Sequence, residues 1–213
     1  MPPARGAALA ARLSPSHLEA LAPESRALLA RLGERAWSAD FYLAGGAALA
    51  LYLGHRTVAG LDLMSLANRL TPQDRRDLLV DLLEMAPGAR VHTARDGYLA
   101  LELPGALALR FYYYPYPLVE PLGGADLAVA SPLDLGLMKL GAIISRGSKR
   151  DFVDLYLLFR ELPLALLLER AQEKFGHVGD FTLQAMKGLA DTGAAAGEPM
   201  PGLARAPDWA EVE

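Results

Sequence analysis

The order of apolar and polar positions in the first half of the chain predicts alternating strands and helices. The apolar run at residues 41–43 predicts a short strand, which breaks at two glycines before residues 47–53, whose composition favours a helix. Alternation at residues 61–64 predicts another strand, and a Thr-Pro pair starts a helix over residues 71–85. The core face predicted for this helix consists of Leu78, Leu79, Leu82 and Leu83.

The segment before the first strand carries two predicted helix starts. Ser16 and Glu19 have the spacing of a capping box, and Pro23 suits a first helical turn. The apolar stripe predicted to follow consists of Leu28, Leu29, Leu32 and Trp37.

Between residues 89 and 129 the periodicity changes toward two, which is typical of strands. Three strands are predicted, at residues 90–94, 98–103 and 108–113. Asp-Gly and Pro-Gly pairs separate them, so we predict a meander that continues the sheet.

After residue 130 the periodicity favours helices. Four are predicted, at residues 131–145, 149–161, 164–175 and 180–190, and the Gly-, Ala- and Pro-containing residues beyond them predict an extended or mobile tail. The fold class is therefore α+β, with a sheet and flanking helices followed by a helical C-terminal part. The predicted divisions are residues 1–130, 131–190 and 191–213.

Composition narrows the classes of protein that remain. Hydrophobic residues make up 52% of the 213 residues, which excludes general disorder, and a formal net charge of −4 excludes a globally basic surface for nucleic acid. The chain has no cysteine, so it has no thiol nucleophile and no cysteine zinc site. The apolar runs are too short to span a bilayer, and we expect a soluble, cytoplasmic protein.

A strand, a glycine pair and a helix, followed by a strand that carries Asp62, can form a phosphate site. Backbone amides of Gly45 and Gly46 at the helix start would hold phosphate oxygens, and the carboxylate would hold the metal bound to them. A plain turn is the alternative explanation of the glycine pair.

The second group of candidates lies on two predicted helices. Lys139 and Arg146 are seven residues apart and share a helix face, while Asp151 and Asp154 lie three apart in the next helix. Together they would form a cationic site with acids beside it. The alternative is that the aspartates complement the helix dipole and the lysine is solvated.

Tyrosines and basic pairs are weaker candidates. The run of residues 112–116 could stack nucleobases, although packing on a sheet face explains it as well. Arg75-Arg76 and Lys149-Arg150 could contact phosphates, and a solvated helix face is the alternative for the first pair.

Taken together, residues 41–56, 61–65 and 138–158 resemble the AbiEii/AbiGii family of nucleotidyltransferase-like toxins. The likeness covers most of the chain, and the order of the two segments makes it specific. It implies a minimal nucleotidyltransferase fold, that is, a mixed sheet with flanking helices followed by a helical C-terminal part. It also implies a role in abortive phage infection or in a toxin–antitoxin pair.

The resemblance assigns site residues one by one. Those that match the family pattern are Gly45, Gly46, Arg56, Asp62, Lys139, Arg146, Lys149, Asp151 and Asp154. By the resemblance Asp62 holds a metal, the glycine amides face the phosphates, and Lys139 neutralises triphosphate charge. Asp151 or Asp154 would orient Lys139 or the acceptor hydroxyl. Arg56, Arg146 and Lys149 are the remaining phosphate-binding candidates.

Three positions depart from the family pattern. Ala47 stands where a hydroxyl residue helps to hold the triphosphate, Val58 where a serine is usual, and Gly60 where the first aspartate of Asp-x-Asp binds metal. Asp62 alone gives one protein ligand, so we expect weak, substrate-assisted binding of Mg²⁺ or Mn²⁺. Glu102 could add a carboxylate, although a solvent-facing position is its default.

The sequence thus supports a metal-dependent transfer of a nucleotide from an NTP to RNA, with the 3′ end of tRNA as the acceptor by family analogy. The expected partners are the NTP, the RNA and a cognate antitoxin protein. The loss of three polar groups supports an alternative, a catalytically degenerate protein that binds a nucleotide, an RNA or a protein. A pure interaction module that docks an antitoxin is a third hypothesis.

Overall fold

A computed structural model describes residues 15–124, 127–203 and 207–213. Residues 1–14, the start of the predicted first division, lie outside the described residues. The described chain contains a five-stranded sheet whose spatial order is β1-β2-β5-β4-β3. The strands are β1 (Tyr42–Ala44), β2 (Gly60–Ser65), β3 (Arg90–Arg95), β4 (Tyr98–Leu103) and β5 (Leu107–Tyr113).

The sheet is mixed, as predicted. β2 and β5 run parallel, and the other neighbouring pairs are antiparallel. Strands β3, β4 and β5 form the predicted meander, and the predicted strand positions agree with the observed ones to within a few residues. The parallel pair lies near the centre of the sheet, so the residues it carries are fixed by neighbours on both sides.

Helices cover the sheet and form the C-terminal part. They are α1 (Pro23–Gly33), α2 (Gly45–Leu53), α3 (Pro72–Met85), α4 (Pro132–Ser145), α5 (Lys149–Phe159), α6 (Leu164–Phe175), α7 (Phe181–Ala190), α8 (Gly193–Ala196) and α9 (Trp209–Val212). A mixed sheet with flanking helices and a helical C-terminal part is therefore confirmed. Within the described ranges, none of the helices has the length and apolarity that crossing a bilayer requires.

Some local predictions at the N-terminal end were wrong. The helix predicted to start at Ser16 is only a short 3-10 helix, Leu18–Ala20, whose N-cap residue His17 makes no side-chain cap. Trp37 does not continue the stripe of α1, because it lies in a separate 3-10 segment, Ala36–Asp40. There its indole packs edge-on against Phe41 and Phe111.

Two further predictions are corrected by packing. In α3, Leu78 and Leu82 are buried, but Leu83 is 43% exposed, because the helix rests on the sheet along a narrower stripe than its leucines suggest. In the tail, which was expected to be extended or mobile, two four-residue helices, α8 and α9, interrupt the described residues without regular structure. Trp209 packs edge-on against Phe152 of α5, which gives this end of the chain an anchor.

A buried ion pair ties helices α4 and α6 together. The Nζ of Lys174 donates to Oδ1 of Asp134 at 2.8 Å and to the carbonyl of Pro117, and both charged side chains are fully buried. Asp134 also accepts from the Ser131 hydroxyl and from the backbone amide of Val119. The pair therefore fixes the segment that leads from β5 to α4, and with it the orientation of α4.

Replacing Lys174 should weaken the fold strongly, because Lys174→Ala leaves the Asp134 carboxylate buried without its cation. We expect the free energy of unfolding to fall by about 3–5 kcal/mol. The measurement is urea unfolding followed by circular dichroism. The matched control is Arg170→Ala, which removes a solvent-exposed pair with Glu173 on the same helix and should cost less than about 1 kcal/mol. Equal losses in the two variants would contradict this assignment.

Candidate active site

A cavity of about 460 Å³ opens between the sheet and the C-terminal helices. Its charged end is lined by Gly45, Asp62, Lys139 and Arg146. Its aromatic end is lined by Tyr114, Tyr116, Phe175 and Phe181, whereas Tyr112 lies near Asp62 and Arg146. The two sequence segments that carried the candidate residues therefore meet in one cavity, which has a polar and an apolar end.

The junction of β1 and α2 requires glycine for steric reasons. Gly45 is the first residue of α2 and has φ +63°, and a Cβ there would lie 2.6 Å from Oδ2 of Asp62. A Cβ at Gly46 would lie 2.3 Å from Nη2 of Arg56. The pair is therefore more than a turn, because it allows a carboxylate and a guanidinium to lie directly against the start of the helix.

Asp154 is a fully buried carboxylate surrounded by donors. It accepts from Nε2 of His55 at 2.9 Å and from Nε and Nη2 of Arg56 at 3.1 and 3.2 Å, and Nζ of Lys139 lies 2.7 Å away. Burial alone would raise its pKa. The charge of Lys139, with the contacts from His55 and Arg56, outweighs burial and holds the pKa of Asp154 well below its usual range.

Asp151 is held in the same way by the other side of the cluster. It accepts from Nζ of Lys139 at 2.9 Å, from Nε and Nη2 of Arg146 at 2.7 and 2.8 Å, and from the Ser148 hydroxyl at 2.6 Å. Burial opposes ionisation here too, but the hydrogen bond from Arg146 and the charge of Lys139 hold the pKa of Asp151 well below its usual range. Both carboxylates are thus ionised acceptors.

Lys139 bridges the two carboxylates from helix α4. Its ammonium has three N–H donors; Asp151 accepts from one and Asp154 lies 2.7 Å away, so these two carboxylates leave at least one donor unused. Arg146 is the more open cation, with its side chain 65% exposed, and its contacts with Asp151 use Nε and Nη2 only. These two residues are the cations that line the cavity.

Asp62 does not lie alone. Its Oδ1 accepts from Nη1 of Arg110 at 3.1 Å, and its side chain is 25% exposed. Arg110 is directly opposite Asp62 in the parallel pairing of β2 and β5. Sequence reasoning missed Arg110. In the sequence Arg110 lies between two apolar residues of a predicted strand, which indicates only that its side chain faces away from the core. The pairing register of β2 and β5 is needed to show that this side chain lies beside Asp62.

The donor set at this position does not fit the magnesium site of an Asp-x-Asp strand. Position 60 is Gly60, and the remaining carboxylate, Asp62, is paired with a guanidinium. Mg²⁺ prefers oxygen ligands, and a fixed cation at 3.1 Å from Asp62 opposes a second one. Among the described residues, no group of three or more His, Asp and Glu side chains is arranged to hold a metal ion.

Some candidates lie outside the cavity. The ammonium of Lys149 donates to the carbonyl of Ala196 and lies 4.6 Å from the centre of the Trp209 ring, so the structure does not bring it to the cluster. Arg56 is 8% exposed and turned to Asp154. Glu102 lies on β4, and its carboxylate is 3.5 Å from Nε2 of His92. Its side chain is 42% exposed, which agrees with the solvent-facing position expected from the sequence.

The departing positions have structural roles. Ala47 is buried inside α2, and the backbone of Val58 pairs with residues 20–22.

The tyrosine run at residues 112–116 is divided, because adjacent residues of a strand point to opposite faces of the sheet. Tyr112 and Tyr114 line the cavity, and burial raises the pKa of both above the usual range, so their hydroxyls stay neutral.

Comparison with known proteins identifies relatives over most of the chain. The model of the family described as nucleotidyl transferase AbiEii toxin, type IV TA system, matches residues 26–211. A protein of Aquifex aeolicus strain VF5, described as uncharacterized, is 35% identical over 125 residues. That match includes 57% of this chain and 59% of the relative, so the chain spans less than two thirds of the relative's length.

Three solved structures have weaker overall similarity to this chain. The Megavirus polyadenylate synthase has a TM-score of 0.46 and 13% identity, over 65% of this chain and 32% of that one. The nucleotidyltransferase toxin MenT4 of Mycobacterium tuberculosis H37Rv has a TM-score of 0.43 and 17% identity, over 81% and 71%. The Thermotoga maritima CCA-adding enzyme complexed with tRNA has a TM-score of 0.39 and 16% identity, over 82% and 52%.

The low pKa values of Asp151 and Asp154 should make stability fall in acid. In the unfolded chain an aspartate takes up a proton near pH 3.9, whereas these two stay ionised in the native state. The unfolded state then binds more protons, so the free energy of unfolding falls as the pH drops below about 4.

Urea unfolding at pH 2.5–5 checks this dependence. Asp154→Asn removes one titrating group and should reduce the slope below pH 4 by up to about 1.4 kcal/mol per pH unit. Asp96→Asn is the control, because the Asp96 side chain is 86% exposed, and it should keep the wild-type slope. A slope that Asp154→Asn leaves unchanged would show that the buried carboxylate is not the group responsible.

Proposed function

The chain belongs to the family of AbiEii nucleotidyl transferase toxins of type IV toxin–antitoxin systems, and on that premise we propose that it transfers a nucleotide from a nucleoside triphosphate to an RNA. The observation that carries the proposal is the cavity itself. One end presents Lys139 and Arg146 beside the glycine start of α2, and the other end presents aromatic rings. Phosphates and a nucleobase require that combination of surfaces.

The charged end suits the phosphates. Lys139 retains one N–H donor after binding its two aspartates, and Arg146 retains Nη1. Because Asp151 and Asp154 are buried and ionised, they fix both cations without presenting negative charge to the ligand. Charge-assisted hydrogen bonds from such fixed donors are stronger than those from mobile surface side chains. We therefore assign Lys139 and Arg146 to the triphosphate.

The aromatic end suits the base or the terminal nucleotide of the acceptor. Tyr114 and Tyr116 have ring centres 4.6 Å apart, and Tyr116 packs on Phe175. Phe175 in turn stacks on Phe181 with ring centres 4.1 Å apart. Such a wall offers stacking surface that tolerates different bases, because every base has a π-face.

In the proposed step, a 3′-hydroxyl oxygen of the RNA attacks the α-phosphorus of the triphosphate. The new P–O bond forms as the bond between the α-phosphorus and its bridging oxygen to the β-phosphate breaks, and pyrophosphate leaves. The hydroxyl proton passes to Oδ2 of Asp62, which Arg110 does not engage. Lys139 and Arg146 neutralise the charge that develops on the leaving pyrophosphate.

The acceptor and the biological setting are proposed from family membership. We propose that the RNA is tRNA, modified at its 3′ end, and that a cognate antitoxin protein counteracts the chain in the cytoplasm. A role in abortive phage infection belongs to the same proposal.

A second candidate function rests on the pairing of Asp62 with Arg110. That contact, together with Gly60, removes the two-carboxylate arrangement expected of the family. It favours a protein that keeps the cavity to bind a nucleotide or an RNA but does not catalyse transfer. Nucleotide binding without transfer is what separates this candidate from the first.

Incorporation of α-labelled NTPs into total tRNA tests the transfer. Each NTP is supplied separately, in Mg²⁺, in Mn²⁺ and in EDTA, and labelled RNA is resolved on a gel. We expect label from at least one NTP, and a loss of at least about 100-fold in Lys139→Ala and Asp62→Asn, because each removes a group that acts in the step. The matched control is Arg90→Gln on the exposed edge strand β3, which should keep full activity.

Asp62→Asn guards against a folding artefact. Within the described residues Asp62 is part-exposed and hydrogen-bonds to the Arg110 side chain, whereas Lys139 supports two buried aspartates. Label that survives both substitutions would contradict the proposed site. Absence of label together with NTP binding would favour the second candidate.

A further inference from the structure

We propose that Arg110, which pairs with the cavity-lining Asp62, takes the place of a divalent metal ion beside the charged end of this cavity, so that the chain binds the phosphates of a nucleoside triphosphate without a metal. This inference rests on the proposed function, because it concerns the same ligand and the same cavity. It adds a residue that sequence reasoning did not find, and it changes the chemical species bound from a metal–NTP complex to the free NTP.

The first support is the position of Arg110 relative to β2. Residues 60 and 62 are two apart on one strand, so their side chains point to the same face of the sheet. Arg110 lies opposite Asp62 in the neighbouring parallel strand and therefore shares that face. Its Nη1 is 3.1 Å from Oδ1 of Asp62.

The second support is the space beside Gly60. A Cβ built at Gly60 would lie 3.7 Å from Nη1 of Arg110 and 3.5 Å from the Cβ of Ala108. An aspartate at position 60 would place its carboxylate next to this guanidinium. The guanidinium thus lies in the region where a metal ion bound by that carboxylate would be expected. The guanidinium of Arg110 is therefore fixed between positions 60 and 62. An aspartate at position 60, which this chain lacks, would contact the same guanidinium.

The third support is the binding capacity that Arg110 retains. A guanidinium has five N–H donors and stays protonated at all physiological pH values. The contact with Asp62 uses one of them, and the side chain is 39% exposed. The planar fork of arginine matches phosphate oxygens, which makes it suited to bidentate phosphate recognition. Arg110 can therefore hold Asp62 and a phosphate at the same time.

The balance of charged side chains at this end of the cavity favours an anionic ligand that has no bound metal ion. Asp151 and Asp154 are already neutralised by Lys139, Arg146 and Arg56. The remaining carboxylate of the charged end, Asp62, is matched by Arg110. Each carboxylate is thus already paired, and the cations keep N–H donors that the carboxylates do not use. A triphosphate can bind to these donors without a metal ion to neutralise its charge.

Isothermal titration calorimetry of ATP, CTP, GTP and UTP, each in EDTA and each in Mg²⁺, tests the inference. We expect at least one NTP to bind in EDTA with a Kd within about threefold of its value in Mg²⁺. Arg110→Gln should weaken that binding by at least about tenfold in EDTA, because a charged hydrogen-bond donor to phosphate is lost. Arg90→Gln, a loss of the same charge on edge strand β3, is the control and should leave the Kd unchanged.

A converting variant provides a second readout. Gly60→Asp combined with Arg110→Ala supplies two carboxylates on one face and removes the competing cation. The Cβ at position 60 would have only ordinary contacts, the nearest being 3.4 Å from the Ala108 carbonyl oxygen. We expect this variant to retain Mn²⁺ in the presence of NTP, seen as loss of the free-ion electron paramagnetic resonance signal, and to bind NTP at least about tenfold more tightly with Mn²⁺ than in EDTA.

The outcomes separate this inference from the proposed function. Binding that requires Mg²⁺, or binding in EDTA that Arg110→Gln leaves unchanged, overturns the role of Arg110, and label transfer to tRNA would still support the transferase. Absence of NTP binding in both conditions overturns the inference, and with absence of label it removes the proposed function too. Metal-independent binding that depends on Arg110 supports the inference whether or not label is transferred.

Discussion

The architecture of the cavity depends on the neutralisation of two carboxylates that α5 carries into the interior. Asp151 and Asp154 are fully buried, and such groups are tolerated only when their charge is paired and their oxygens are hydrogen-bonded. Lys139 of α4 pairs with both, Arg146 reaches Asp151, and the loop after α2 supplies His55 and Arg56 to Asp154. These ion pairs therefore hold helices α4 and α5 and the loop after α2 in fixed relative positions. They also position the charged end of the cavity.

The same requirement divides the basic residues into two kinds. Arg56 pairs with Asp154 inside the protein, and Lys149, the first residue of α5, turns away from the cluster onto Trp209. Lys139, Arg146 and Arg110 keep donors that face the cavity or solvent, because each is satisfied by a carboxylate that uses only part of its hydrogen-bonding capacity. Structural ion pairs thus create the fixed donors on which a phosphate site depends. For the arginines, exposure separates support from ligand binding, because Arg56 and Arg146 both use Nε and Nη2 on an aspartate but their side chains are 8% and 65% exposed.

Steric constraints complete the site. The glycines at the start of α2 let Asp62 and Arg56 lie against the helix, and Gly60 leaves room beside Arg110. The aromatic end is built from the segment after β5 and from helices α6 and α7, and its orientation is set by the buried pair of Asp134 and Lys174. Two buried groups of charges on α4, with Asp134 in its first turn and Lys139 in its middle, therefore position the two ends of a single cavity.

The sequence by itself determined the elements and the family. Periodicities of two and of about 3.6 residues, glycine pairs and helix caps are local signals, so they predicted the strands, the meander and the C-terminal helices. The mixed sheet was implied by the resemblance of the matching segments to a known family. Which side chains meet was decided only by the tertiary structure. Arg110 shares a face with Asp62 because of a strand register, and Lys149 leaves the cluster because a distant tryptophan covers it. Contacts between residues some fifty or more positions apart, such as Asp154 with Arg56, leave no trace in local periodicity, because they depend on how finished elements pack.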